Sequence, residues 1–152
     1  MKEKLQYLLD HEEIRQLAAK YVFAFDTRDE EAYVSCWTED GFVERRGYQP
    51  TWQGHEQLAA LVRVFPVEGR HLTTDLLIKV EGDRATMKSY LLYLDMKQPC
   101  EVSMVGVYDD ILVRTSEGWK FEARSFEYHT IRESETSEEF TSAMQVAAGA
   151  HE

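Results

Sequence analysis

Two residues in this chain have the types and settings for acid–base chemistry, Asp26 and His71. Asp26 closes an apolar run, Ala19-Lys20-Tyr21-Val22-Phe23-Ala24-Phe25-Asp26, and polar Thr27-Arg28-Asp29-Glu30 follow it. At 100° per residue Asp26 lies about 40° from Val22 and about 20° from Ala19 on a helix, so its carboxylate is expected to point partly inward. A buried acid needs a partner. His71 opens a long β-type run, Gly69-Arg70-His71-Leu72-Thr73-Thr74-Asp75. The other histidines sit at helix starts (His11, His55), near the end of the last strand (His129) and in the tail (His151). An Asp that accepts from one imidazole nitrogen fixes the tautomer and raises the basicity of the other, giving a general base for near-neutral pH. A histidine at a strand start also serves structural roles, and spacing alone leaves both readings open.

The elements that must position this pair follow from periodicity. Ile14, Leu17, Ala18, Tyr21, Val22 and Phe25 form one helical stripe, so residues 1–27 read as helix. Asp10 with Glu13 resembles a capping box, which makes residues 1–9 a separate short helix. Residues 29–37 read as a second helix, stopped by Thr38-Glu39-Asp40-Gly41 as a turn. Phe42–Arg46 is a short strand candidate, followed by an irregular loop through Gly47, Pro50 and Gly54. Residues 55–65 form a third helix closed by Pro66.

Four long runs rich in β-branched and aromatic residues then cover 71–80, 84–97, 102–114 and 119–131. Glu81-Gly82-Asp83 and Thr115-Ser116-Glu117-Gly118 read as hairpin turns. The expected fold is α+β: N-terminal helices packed on a cone-shaped, curved antiparallel sheet, with a small-ligand site inside the cone. Residues 1–132 form the single expected domain and 133–152 an acidic tail. There Thr136-Ser137-Glu138-Glu139 can cap a short helix whose Phe140, Ala143 and Met144 stripe would dock on a pocket mouth or a neighbouring subunit, and a frayed tail is the alternative.

Strand phase sets a condition on the pair. Leu72, Thr74, Leu76, Ile78 and Val80 share one face, and His71, Thr73 and Asp75 share the other. If the aliphatic face covers the helices, His71 points away from Asp26 unless a bulge near Thr73–Asp75 flips the phase. We therefore predict that bulge.

Composition excludes several classes. A formal net charge of −11 with scattered basic residues argues against nucleic acid. The apolar runs are too short for a membrane span, and the first residues lack a signal-peptide core, so a cytoplasmic location is expected. Cys36 and Cys100 are then expected to remain thiols, a disulfide between them being possible in principle. Neither a metal cluster nor a phosphate-binding glycine loop is visible, and no cofactor is expected.

Several motifs together resemble the nuclear transport factor 2-like superfamily: Ala24-Phe25-Asp26, Trp37-Thr38-Glu39-Asp40-Gly41, Gly69-Arg70-His71, Glu81-Gly82-Asp83-Arg84-Ala85, and Gly118-Trp119-Lys120-Phe121 with Arg124. The chain is similar over roughly residues 10–130 to the SnoaL-like branch that includes scytalone dehydratase and hexachlorocyclohexane dehydrochlorinase. The resemblance implies that Asp26 orients His71, which abstracts a proton while a hydroxyl or halide leaves. It also implies that Arg124 helps hold the anionic leaving group; the alternative for Arg124 is a structural ion pair on the sheet.

Departures from these enzymes limit the transfer. Tyr21 stands where the dehydrochlorinase has a pocket lysine, while Lys20 is about 120° around the helix from Asp26 and reads as surface. Phe25 stands where the dehydratase has a tyrosine, and its second strand histidine has no counterpart in residues 84–114. Further pocket candidates are Tyr21, Phe25, Trp37, Trp52, Asp75, Tyr93 and Tyr108, with Met87, Met96 and Met104 as cavity or core methionines. The leading expectation is a cofactor-independent lyase or isomerase acting on a small, largely apolar molecule. The alternatives are a non-catalytic ligand-binding or scaffold protein and an oxygenase accessory subunit. The resemblance also implies a homo-oligomer, dimer or trimer.

Overall fold

The computed structural model describes residues 1–98, 101–132 and 138–149. Its elements run α1 (Lys2–Asp26), α2 (Glu30–Val34), β1 (Trp37–Arg45), β2 (Tyr48–Gln53), α3 (Gly54–Val64), β3 (Gly69–Glu81), β4 (Arg84–Asp95), β5 (Glu101–Thr115), β6 (Gly118–Ile131) and α4 (Glu138–Ala147). Six strands form one curved sheet in the order β2-β1-β6-β5-β4-β3, and helices cover one of its faces. The architecture is α+β, as expected, but the sheet is mixed. β1 runs parallel to β6, because the chain crosses from β1 through β2 and α3 to the far edge and returns by the β3–β6 meander.

Two local expectations fail for tertiary reasons. Residues 1–9 are not a separate helix, since α1 is continuous for 25 residues. Asp10 is not its cap; it is buried and accepts from Arg114, Trp119 and Gln6. Residues 37–41 are not the end of a helix and a turn, since β1 already starts at Trp37, opposite Phe121. Gly41 serves a close approach there: a Cβ on it would meet the Trp37 ring at 2.9 Å. The second helix is correspondingly short, with Asp29 at its N-cap accepting from the Ala32 N–H. The loop expected after Arg46 contains strand β2.

The bulge predicted in β3 is present. Pairing with β4 shifts register between Thr74 and Leu77, and Asp75 has φ of +57°. Before it, Gly69 and His71 are buried; after it, Leu76, Ile78 and Val80 turn inward while Leu77 and Lys79 face out. Asp tolerates this left-handed conformation better than a β-branched residue does. One extra residue thus lets His71 face the helices on a strand whose second half buries the opposite parity.

The core lies between helices and sheet. Ile14, Ala18, Tyr21 and Phe25 of α1 pack with Leu58, Leu61 and Val62 of α3 and the inward residues of β4–β6. α4 docks by Phe140, Met144 and Ala147, and Ala143 of the expected stripe is half-buried. The Trp52 indole N–H donates to the Met144 carbonyl at 3.1 Å. Cys100, the Thr136-Ser137 half of the expected capping box and His151 lie outside the described residues. No helix among the described residues is long and apolar enough to cross a membrane.

Candidate active site

Asp26 stands at the last residue of α1 and His71 on the third residue of β3. The His71 backbone N–H donates to Asp26 Oδ2 at 3.0 Å, and His71 Nδ1 lies 2.6 Å from Oδ1. Both side chains are only 6% exposed, so the hydrogen bonds are made almost out of water. Because the carboxylate can only accept, Nδ1 is the protonated nitrogen, and the Nε2 lone pair is left for whatever enters the site. Burial lowers the His71 pKa; the hydrogen bond and charge of Asp26 oppose this, while the Arg124 and Arg28 charges add to it. A lowered pKa keeps the imidazole neutral at pH 7, the form a general base requires.

The approach of helix end and strand start is held by a neighbouring clamp. Arg28 adopts φ of +62° just past α1, and its guanidinium donates to the carbonyls of Val62, Phe65 (2.6 Å) and Val67 (3.1 Å). The Tyr93 hydroxyl also donates to Val67, at 3.0 Å. These bonds tie the segment leading into β3 to the end of α1. Gly69 completes the fit: a Cβ there would overlap the Tyr93 ring, which lies 4.6 Å from the His71 ring between centroids.

A cavity of about 50 Å³ opens beside His71. Of the residues expected there, Tyr21, Phe25, Tyr93 and Tyr108 line it, together with Trp52 and Met104. Three others are placed elsewhere. Trp37 is fully buried behind Tyr21, packed on Phe121 and Tyr33, and supports the wall without forming it. Asp75 is exposed on edge strand β3, where its role is the bulge and its carboxylate accepts from Thr74. Arg124 is stacked between the rings of Tyr21 and Tyr108, at 4.1 and 3.9 Å, rather than on the cavity wall. Of the methionines, Met87 is core and Met96 is exposed. Lys20 is at the surface, donating to Ser35 at 2.7 Å.

Arg124 is an ion-pair residue, but a buried one. Its Nε and Nη2 donate to Asp110 Oδ1 and Oδ2 at 2.7 and 2.8 Å, and both side chains are almost wholly enclosed. Burial pushes the Asp110 carboxyl up, and the Arg124 charge pulls against it. For Arg124, burial favours the neutral form, but the charge and hydrogen bonds of Asp110, with the neighbouring Tyr21 and Tyr108, together outweigh it and raise its pKa. Asp110 was not singled out from the sequence, although its two-residue spacing from Tyr108 already put both on one strand face. The cavity residues Arg45, Phe126 and Tyr128 were missed as well, while Met144 belongs to the tail stripe that the sequence already offered for docking. Arg45 follows Val43 at the same two-residue spacing, whereas Met144 reaches the cavity only through the docking of α4. Cys36 is buried, and burial pushes its thiol up to about 11, so it is no nucleophile at neutral pH.

A larger concavity of about 420 Å³ lies on the other face of the sheet. Its ionisable groups satisfy one another, as in Arg46–Asp109 and Lys88–Asp109, and the buried carboxylate that borders it, Asp110, is held by Arg124. The His71 cavity is therefore the candidate site. No group of three or more His, Cys, Asp or Glu among the described residues is arranged to hold a metal ion.

Comparison with known proteins identifies the fold and the family. No curated protein matches the chain. Among solved structures, Rv3472 of Mycobacterium tuberculosis, a protein of unknown function, is 26% identical, with a TM-score of 0.77 over 97% of this chain and 92% of its own. An NTF2-like protein with a cystatin-like fold from Novosphingobium aromaticivorans is 28% identical, with a TM-score of 0.77 over 84% and 87% of the two chains. The hexachlorocyclohexane dehydrochlorinase LinA-type3 of Novosphingobium barchaimii shares the fold at 21% identity, with a TM-score of 0.71 over 85% and 92%. The SnoaL-like domain model matches residues 6–125, a span that contains Asp26, His71 and the Asp110–Arg124 pair, and the chain belongs to the SnoaL-like family.

Proposed function

We propose that this protein is a cofactor-independent lyase or isomerase that uses Asp26 and His71 to remove a carbon-bound proton from a small, largely apolar molecule. The observation that carries the reading is the 2.6 Å Asp26–His71 contact beside an aromatic cavity. His71 Nε2 takes the proton, and the C–H electron pair becomes the new double bond as a hydroxide or halide departs. Asp26 keeps its hydrogen bond to Nδ1–H and stabilises the imidazolium that forms. On this reading the Tyr21 hydroxyl, which accepts from Tyr33 at 3.5 Å, hydrogen-bonds the leaving group. Arg124 acts one layer back, holding Tyr21 and Tyr108 against each side of its guanidinium.

The dehydrochlorinase among the structural relatives suggests the first probe, hexachlorocyclohexane, with chloride release as the readout. A positioned base contributes roughly 10²–10⁴-fold, so His71→Ala should lose turnover by that factor while retaining the fold. Wild-type turnover in His71→Ala would defeat the proposal.

One observation favours a second reading, a ligand-binding protein without turnover. At about 50 Å³ the cavity has room for only about three or four waters, so a ring-sized ligand must displace lining side chains such as Met144 of α4. Saturable binding of apolar probes by wild type and His71→Ala alike, with no product from either, is the outcome this reading requires.

A further inference from the structure

The first nine residues of α1 stand clear of the domain. Asp10 is the first residue of the helix to be buried, anchored to Arg114 and Trp119, and residues 1–9 are all exposed. Yet this projecting segment carries Leu5, Leu8 and Leu9, which are 58%, 62% and 48% exposed. At 100° per residue these three leucines and Glu12 lie on one stripe, about 180° from the face that Asp10, Ile14, Ala18 and Tyr21 bury.

We infer that this stripe is a self-association seam, occupied by the same segment of a second copy of the chain in antiparallel orientation. The charges along the segment select that occupant. Lys2 and Lys4 flank the stripe at the tip, and Glu3 points to the opposite side. At the base Glu12 lies on the stripe and Glu13 flanks it. An antiparallel pair sets Leu5 of one copy against Leu8 of the other, and it brings Lys2 and Lys4 over the partner's acidic base at both ends of the seam. A parallel pair would stack like charges. The repeat is two-fold symmetric, so the contact closes as a dimer. The surface is separate from the outer face of the sheet. Its short length places it in the weak, concentration-dependent class of interfaces.

The test is sedimentation equilibrium on the full chain from micromolar to hundreds of micromolar. Leu8→Glu should weaken the association by about tenfold or more and halve the mass of the assembly at intermediate concentration. Lys2→Glu/Lys4→Glu and Glu12→Lys/Glu13→Lys should each dissociate alone and re-associate when mixed, which keeps the test decisive if Leu8→Glu fails to fold. A wild type monomeric throughout, an unchanged mass in Leu8→Glu with native circular dichroism, or a mixture that does not re-associate each overturns the proposal.

Discussion

Replacing Asp26 by Asn tests the chemistry at nearly constant shape. In the wild type, Asp26 accepts twice from His71, from its backbone N–H at 3.0 Å and its ring Nδ1–H at 2.6 Å. An asparagine has one oxygen. If that oxygen keeps the backbone bond, the amide NH₂ meets Nδ1, and two donors face each other. The ring escapes by moving its proton to Nε2, which then presents N–H to the cavity instead of a lone pair. The base is thereby lost without any change in packing. The loss in kcat/KM should be about 10²–10⁴-fold, the range for a positioned base. The exchange of a charge-assisted bond for a neutral one should reduce stability by only about 1–2 kcal/mol. The pH profile adds a second readout. Asp26 opposes the lowering of the His71 pKa by burial, so in Asp26→Asn the imidazole resists protonation further and the acid limb of residual activity should move to lower pH. The assay is chloride release against pH, with the tautomer read from the imidazole ¹⁵N shifts. An Asp26→Asn variant with wild-type turnover, or with Nδ1 still protonated, is incompatible with this role for Asp26.

The same structure makes three further predictions. Asp110→Asn leaves the Arg124 guanidinium buried without its counter-charge and should cost about 3–5 kcal/mol, read as a large drop in thermal midpoint. Gly69→Ala should displace the Tyr93 ring from beside His71, losing about 1–3 kcal/mol and activity with it; unchanged kinetics would show that Tyr93 does not position the base. Because the native His71 pKa lies below the ordinary value of 6.5, the unfolded chain binds more protons just beneath that pH. Stability should therefore be full above about pH 6.5 and fall as pH drops below it. Denaturant unfolding between pH 7.5 and 5 measures this, and His71→Asn should flatten the slope.

Features that repeat along the chain were legible in the amino-acid order. The α1 stripe, the strand runs and the turns at Gly82 and Gly118 follow from side-chain period and backbone freedom, which act over a few residues. The same order also implied that Asp26 turns inward and that His71 could meet it only through a bulge, since strand parity admits one residue face at a time. The remaining features depend on partners far apart in the chain. Trp37 is strand rather than helix because Phe121 lies beside it, and α1 passes unbroken through Asp10 because Arg114 and Trp119 take its carboxylate. Arg124 stands between Tyr21 and Tyr108 because Asp110, on the neighbouring strand, compensates its burial. Asp75 was one of the residues that flip the strand, not a residue the cavity holds. In each case desolvation and pairing across the sheet outweighed local preference, and neither is encoded in spacing along the chain.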